Sequence, residues 1–212
     1  MKIEELLEIY EERKDEIKER ILEFKGMMKK SEKRIFAELA FCICTPQTKA
    51  IDAWNAVNEL VKNGLLYNGN SRKISSFLRK VRFGKKKAEY IVYARNTFTK
   101  NGKIRIKKII SSFKNPKELR EWLVENVLGI GMKEASHFIR NLGLSENQIA
   151  ILDVHILKNL QELKIVREFK PLSKRKYVEI ENKMKGFSEK IGIPLDELDL
   201  LLWSKETGFV FR

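Results

Sequence analysis

The sequence predicts an all-α protein. Glycine and proline are sparse, 11 and 4 in 212 residues, and they fall between segments whose apolar residues recur at helical spacing. Convincing strand alternation is lacking. Helix-start residues stand in front of the periodic segments, most plainly Ser31, Asn115-Pro116 and Asp153.

Residues 2–25 read as an amphipathic helix with Leu6, Tyr10, Ile17 and Ile21 on one face. Ser31 caps a second helix carrying Phe36, Leu39 and Ala40. Thr45-Pro46 reads as a new start, a capping hydroxyl followed by proline in the first turn, for a helix ending at Gly64. A shorter helix covers about 71–81 and another about 86–100, the latter with Ala88, Ile91, Val92 and Phe98 apolar. Residues 103–111 are compatible with helix or extended chain. Asn115-Pro116-Lys117-Glu118 combines a cap, a first-turn proline and a capping-box acid. The helix that it starts carries Leu119, Trp122, Leu123 and Val127, and stops at Leu128-Gly129-Ile130-Gly131. Another begins at once with Ala135, Phe138, Ile139 and Leu142, and Gly143 ends it. Asp153 caps a stretch containing Ile156, Leu157 and Leu160. A Lys-rich helix follows at about 173–190, and a last one runs from Pro194 to near Gly208.

Composition narrows the function. Hydrophobic residues form 43% of the chain, enough for a core. Lys and Arg number 43 against 29 Asp and Glu, a net charge of +14. An ion-rich surface explains many charges of both signs but not the excess of one; the excess favours a polyanion, with nucleic acid the usual partner. Cys42 and Cys44 are too few for a four-ligand zinc or iron–sulfur site, and their neighbours Phe41 and Ile43 suggest buried structural thiols. His137 and His155 are too few for a His-rich metal centre, and His137 reads as a partly buried helix residue. The N-terminus is charged and lacks a secretory apolar region, and no apolar run approaches a membrane span. A cytoplasmic protein without a membrane partner is expected.

The most informative stretch is the turn Leu128-Gly129-Ile130-Gly131. Gly129 can end a helix in the left-handed conformation. Gly131 lets a phosphate approach the backbone, where the amides and dipole of the next helix favour an anion. An isolated G-x-G is more simply a compact turn. Here it lies between two well-marked helices, with the small Ala135 beyond, and DNA binding becomes the stronger reading.

The segment Leu128-Gly129-Ile130-Gly131-Met132-Lys133-Glu134-Ala135-Ser136-His137-Phe138, followed by Ile151-Leu152-Asp153-Val154-His155, resembles the helix-hairpin-helix glycosylase superfamily. Within it, the match is to the type-2 8-oxoguanine DNA glycosylase/lyase branch of archaea and some bacteria. The resemblance extends to Cys44-Thr45-Pro46-Gln47-Thr48-Lys49-Ala50 and to the C-terminal Trp-containing helix, and its most specific part is a Lys and an Asp 20 residues apart. The hairpin and the loop before Asp153 both lack the proline of the wider superfamily, and the four-cysteine cluster loop of another branch is absent. The chain ends in Arg212, where the branch usually carries a Lys that helps recognise the damaged base.

The resemblance implies two helical lobes with an active-site cleft between them. Residues 31–150 would carry the hairpin, and 1–30 with 151–212 would form the other lobe. It implies a monomer that binds duplex DNA containing 8-oxoguanine, removes the base and nicks the strand, with no cofactor and no metal. Lys133 would be the nucleophile. A free lysine holds its proton at neutral pH, with a pKa of about 10.4, and attack needs the neutral amine; a helix start and nearby cations favour that form. Asp153 would stabilise positive charge on the sugar and assist the amine. Gly129 and Gly131 would meet the DNA backbone, and Gln47 would fill the space that the flipped base leaves. Trp203, Phe83 and Arg212 are candidates for the base pocket. Trp203, on the margin of the stripe Leu195, Leu198 and Leu202, fits core packing equally well. The rival readings are a glycosylase for another lesion and a non-catalytic DNA-binding module.

Overall fold

The computed structural model describes residues 2–167 and 173–211. Within them the chain is helical, as expected, apart from one two-stranded ribbon. The helices are α1 (Ile3–Lys25), α2 (Glu32–Cys44), α3 (Ala50–Lys62), α4 (Leu65–Asn68), α5 (Ser71–Ser75), α6 (Gly84–Phe98), α7 (Ile106–Ile110), α8 (Pro116–Asn126), α9 (Met132–Asn141), α10 (Val154–Glu162), α11 (Lys174–Ile191) and α12 (Leu195–Thr207). The chain divides into two compact units. One is Met27–Ile139, and the other joins the chain up to Gly26 with the chain from Arg140 onward. No helix among the described residues is long and apolar enough to cross a membrane.

The Met27–Ile139 unit is built around α2. Ser31 caps it by accepting from the Arg34 amide at 3.2 Å, and every residue from Ile35 to Cys44 is buried. A helix apolar all round must be covered all round, and α3, α6 and α7 pack on it. The one acid in this run, Glu38, is paired with Arg34 at 3.4 Å. Cys42 and Cys44 are free, buried thiols, and burial pushes the Cys44 thiol up to about 12. His137 is more buried than expected, at 6% exposure, with its ring edge-on to Phe41.

Two expectations need correction in this unit, and one left open is settled. Thr45-Pro46 does not start α3. Thr45 instead closes α2, its hydroxyl donating to the Cys42 carbonyl at 2.9 Å, and α3 starts at Ala50. The helix expected over 71–81 stops at Ser75. The hydroxyls of Ser75 and Ser76 turn back onto the Arg72 and Lys73 carbonyls at 2.9 and 2.8 Å, in competition with helix propagation. Between α6 and α7, Thr99–Lys100 pairs antiparallel with Lys103–Ile104. The connecting Asn101 and Gly102 both have positive φ, 50° and 68°, as a tight hairpin turn requires. Residues 103–111 are thus divided between a short strand and α7.

In the other unit α1 lays Leu6, Tyr10, Ile17 and Phe24 against a core that includes the leucines of α12. Phe24, rather than Ile21, completes the buried face. Tyr10 donates to Glu197 at 2.6 Å, and the Arg13 guanidinium to the Ser204 carbonyl at 2.6 Å. On α12 the carboxyl of Asp199 is buried, and that burial pushes it from the usual 3.8 up to about 7.

The sign of the Asp199 effect follows from proton linkage. Between about pH 4 and pH 7 the folded protein holds a proton that the unfolded chain releases, so this contribution to stability is full below that window and is lost as pH rises through it. The Asp199→Asn variant cannot titrate there. Its unfolding free energy relative to wild type should therefore rise between about pH 4 and pH 7, at a slope of at most about 1.4 kcal/mol per pH unit. A difference between the two proteins that does not change with pH would contradict the assignment.

Candidate active site

The hairpin joins α8 to α9. Asn115 caps α8 through the Lys117 amide at 2.8 Å, with Pro116 in the first turn. The helix ends at Val127, whose amide still reaches the Leu123 carbonyl at 3.0 Å. Gly129 then turns the chain with φ +80°. A side chain is excluded here for a second reason: a Cβ would lie 2.1 Å from the ring of Tyr90. Ile130 is buried and anchors the turn. At the start of α9, Ala135 is fully buried and its amide bonds to the Gly131 carbonyl at 3.0 Å.

Lys133 stands in the first turn of α9, its side chain 22% exposed. Two neighbours were not foreseen. The first is Glu134. One of its oxygens accepts from the Gly131 amide at 3.1 Å, and the other lies 3.7 Å from the Lys133 amine. It therefore forms half of a capping box and places an acid beside the amine. The spacing of Gly131 and Glu134 carried this signal, since the acid sits at the third helical position. The second is Lys87, only 5% exposed. Its ammonium donates to the carbonyls of Cys44 and Pro46 at 2.8 and 2.6 Å and to the Thr48 hydroxyl at 3.3 Å. Burial lowers its pKa; the charge of Lys133 adds to that, while Glu134 opposes it. Lys87 precedes Ile91 by four residues and Ala94 by seven, so the buried stripe of α6 already pointed it inward.

The Lys87 contacts also fix the loop that carries Gln47. Gln47 is exposed, in the left-handed region at φ 55°, and lies outside any helix. The Thr48 hydroxyl accepts from the Arg82 amide at 3.1 Å, which ties this loop to the one bearing Phe83. Phe83 is 59% exposed and left-handed at φ 58°, with the Arg82 guanidinium over its ring. Lys133, Gly129, Gly131, Gln47 and Phe83 thus all belong to the Met27–Ile139 unit.

Asp153 and Trp203 belong to the other unit. Asp153 caps α10, and one oxygen, Oδ1, accepts from the amides of both His155 and Ile156 at 2.9 Å. Among the described residues its second oxygen makes no hydrogen bond. Trp203 is half-buried at the edge of the fully packed Leu195, Leu198 and Leu202. Phe209 meets its ring edge-on at 5.6 Å, and Phe211 stacks on it at 6.4 Å. Arg212 lies outside the described residues.

The sequence matches the profile of the helix-hairpin-helix 8-oxoguanine DNA glycosylase family over residues 17–193. The chain belongs to that family. An 8-oxoguanine DNA glycosylase/AP lyase of Fusobacterium nucleatum is 46% identical over 98% of this chain and 96% of its own. One from Methanocaldococcus jannaschii is 43% identical over 100% of this chain and 98% of its own. A crystal structure of the M. jannaschii 8-oxoguanine glycosylase/lyase with a 15mer DNA containing 8-oxoguanine matches with a TM-score of 0.87 at 40% identity, covering 98% of this chain and 99% of that one.

The two hairpin glycines should differ in their tolerance of substitution. Gly129→Ala meets both a positive φ and the Tyr90 ring, and is expected to cost on the order of 3 kcal/mol in chemical denaturation. At Gly131 the added Cβ meets only the end of the Glu134 side chain, at 3.2 Å. Gly131→Ala should cost less than about 1 kcal/mol. The reverse order would contradict this account of the turn.

Proposed function

We propose that this protein excises 8-oxoguanine from duplex DNA and nicks the strand at the resulting site, working as a cytoplasmic repair enzyme on the nucleoid. The observation that carries the reading is a lysine in the first turn after a glycine hairpin, in a chain similar over nearly its whole length to glycosylase/lyases.

The chemistry requires a base outside the duplex stack. Flipping costs a few kcal/mol in lost stacking and pairing. The exposed Gln47 suits the space left behind, and Gly129 and Gly131 bring the DNA backbone to the start of α9. A phosphate there competes with Glu134 for the Gly131 amide. Trp203 and the exposed Phe83 present rings able to stack on a purine, and Arg212 supplies charge to the base.

In the reaction, the neutral Lys133 amine bonds to the sugar C1′ as the bond from C1′ to the base nitrogen breaks and the base leaves with the electron pair. The sugar ring opens, its oxygen takes a proton, and a Schiff base forms between C1′ and the lysine nitrogen. A proton then leaves C2′ and the 3′ phosphate departs, which cuts the strand. Asp153 offsets positive charge on the sugar and takes a proton from the amine. Its Oδ1 is held by two helix amides, and Oδ2 serves this purpose.

Borohydride reduction on an 8-oxoguanine duplex should give a covalent protein–DNA adduct with wild type and none with folded Lys133→Gln. Absence of any adduct from active wild-type protein would exclude the Schiff base. Affinity for duplex DNA should also fall with salt, log K declining against log salt by about 0.9 for each phosphate neutralised. A flat response would exclude a phosphate-tracking surface.

A further inference from the structure

The segment that leads into Asp153 is non-helical and buried. Ala150, Ile151 and Leu152 are 0%, 5% and 4% exposed. The ribbon at 99–104 is the only sheet among the described residues, so the segment has no strand partner. Water has little access to these amides, and buried amides need acceptors. Each receives a side-chain oxygen. Glu181 accepts from Ala150 at 2.8 Å, Asp199 from Ile151 at 2.9 Å and the Tyr177 hydroxyl from Leu152 at 3.1 Å. The same hydroxyl donates to the Ala150 carbonyl at 2.7 Å. The Asp153 amide closes onto the Ile151 carbonyl at 2.9 Å.

We infer that Tyr177, Glu181 and Asp199 are positioning residues that lock the register of residues 150–153 and so fix where the Asp153 carboxylate stands during the reaction. Three acceptors from two helices are matched to three successive donors. Tyr177 and Glu181 lie four residues apart on α11 and so share a face; Asp199 comes from α12. A slip of one residue would break all three bonds and carry Asp153 along the chain by up to about 3.5 Å. Misplacement by about 1 Å is enough to slow an enzymatic step by a large factor. Burying two carboxyl groups for this purpose is a costly way to satisfy a loop, and what it achieves is a fixed register immediately before the proposed catalytic acid. All three residues act through Asp153, and none is assigned a contact with substrate.

The inference rests on the role proposed for Asp153, and the experiment separates the two. Tyr177→Phe removes the one atom that serves both Ala150 and Leu152. Hydrogen exchange at the 150–152 amides should speed up at least tenfold, with α12 unchanged. Single-turnover excision of 8-oxoguanine should slow about tenfold, with affinity for the lesion duplex within twofold of wild type. In an Asp153→Asn background the same change should slow the residual rate by less than twofold. Glu181→Gln, which keeps an acceptor, should retain a rate within threefold of wild type, whereas Glu181→Met should lose about tenfold. This pair tests the lock independently of how well Tyr177→Phe folds. Unchanged exchange, equal rates for Glu181→Gln and Glu181→Met, or a loss that multiplies in full on Asp153→Asn would overturn the inference. A fully active Asp153→Asn would instead overturn the role given to Asp153, with the exchange data still deciding whether the lock exists.

Discussion

The exit of the hairpin depends on one close approach, the ring of Tyr90 against the backbone of Gly129. No other residue fits, since the conformation is left-handed and a Cβ would fall within 2.1 Å of the ring. Where that contact holds, Ile130 is buried, Glu134 reaches back to Gly131, and α9 begins with Lys133 in its first turn. The support comes from α6, and the same helix supports a second loop. Lys87 lies three residues before Tyr90, about one helical turn away, and its ammonium gathers the carbonyls at the end of α2 and in the Gln47 loop. A single helix therefore sets both the turn that precedes the amine and the loop that carries the residue proposed to fill the DNA stack.

The charges around the amine are opposed. Glu134 draws positive charge toward it, and Lys87 repels positive charge from a position too buried for solvent to screen well. Glu134 thus serves two neighbours at once, the Gly131 amide of the turn and the amine that follows it.

Much of the fold was legible because its signals are local. Asn115-Pro116, Ser31 and Asp153 cap the helices that they were expected to cap, and the apolar periodicity of α1 and α6 returns as buried stripes, while α12 is buried continuously from Leu198 to Leu202. The misreadings lie where long-range contacts override local preference. Thr45 and Thr48 are taken up by the end of α2, by Lys87 and by the Arg82 amide, so Thr45-Pro46 closes one helix instead of opening the next. The Asn101-Gly102 turn was readable in principle, but strands of two residues each carry no alternation to support it. At the site, the family motif singled out Lys133 and Asp153, whose roles are proposed. Lys87 and Glu134 went unweighed because, in a chain with 43 basic and 29 acidic residues, one lysine or glutamate is noticed only when its helical phase is followed.

In the proposed reaction, capping and chemistry share one side chain at Asp153. Serine, threonine or asparagine would satisfy the two amides of α10 about as well, so capping alone does not require a charge. The cap uses Oδ1 for both amides and leaves Oδ2 for the role proposed for it on the sugar. A carboxylate held by two helix amides is restricted in rotation, and its direction is then set by the backbone on either side. Downstream that backbone is α10 itself. Upstream it is the buried run from Ala150, whose amides are held one by one from α11 and α12. The acid is therefore held from both directions by packed elements, as its proposed role requires, since an electrostatic catalyst must not reorganise as charge develops.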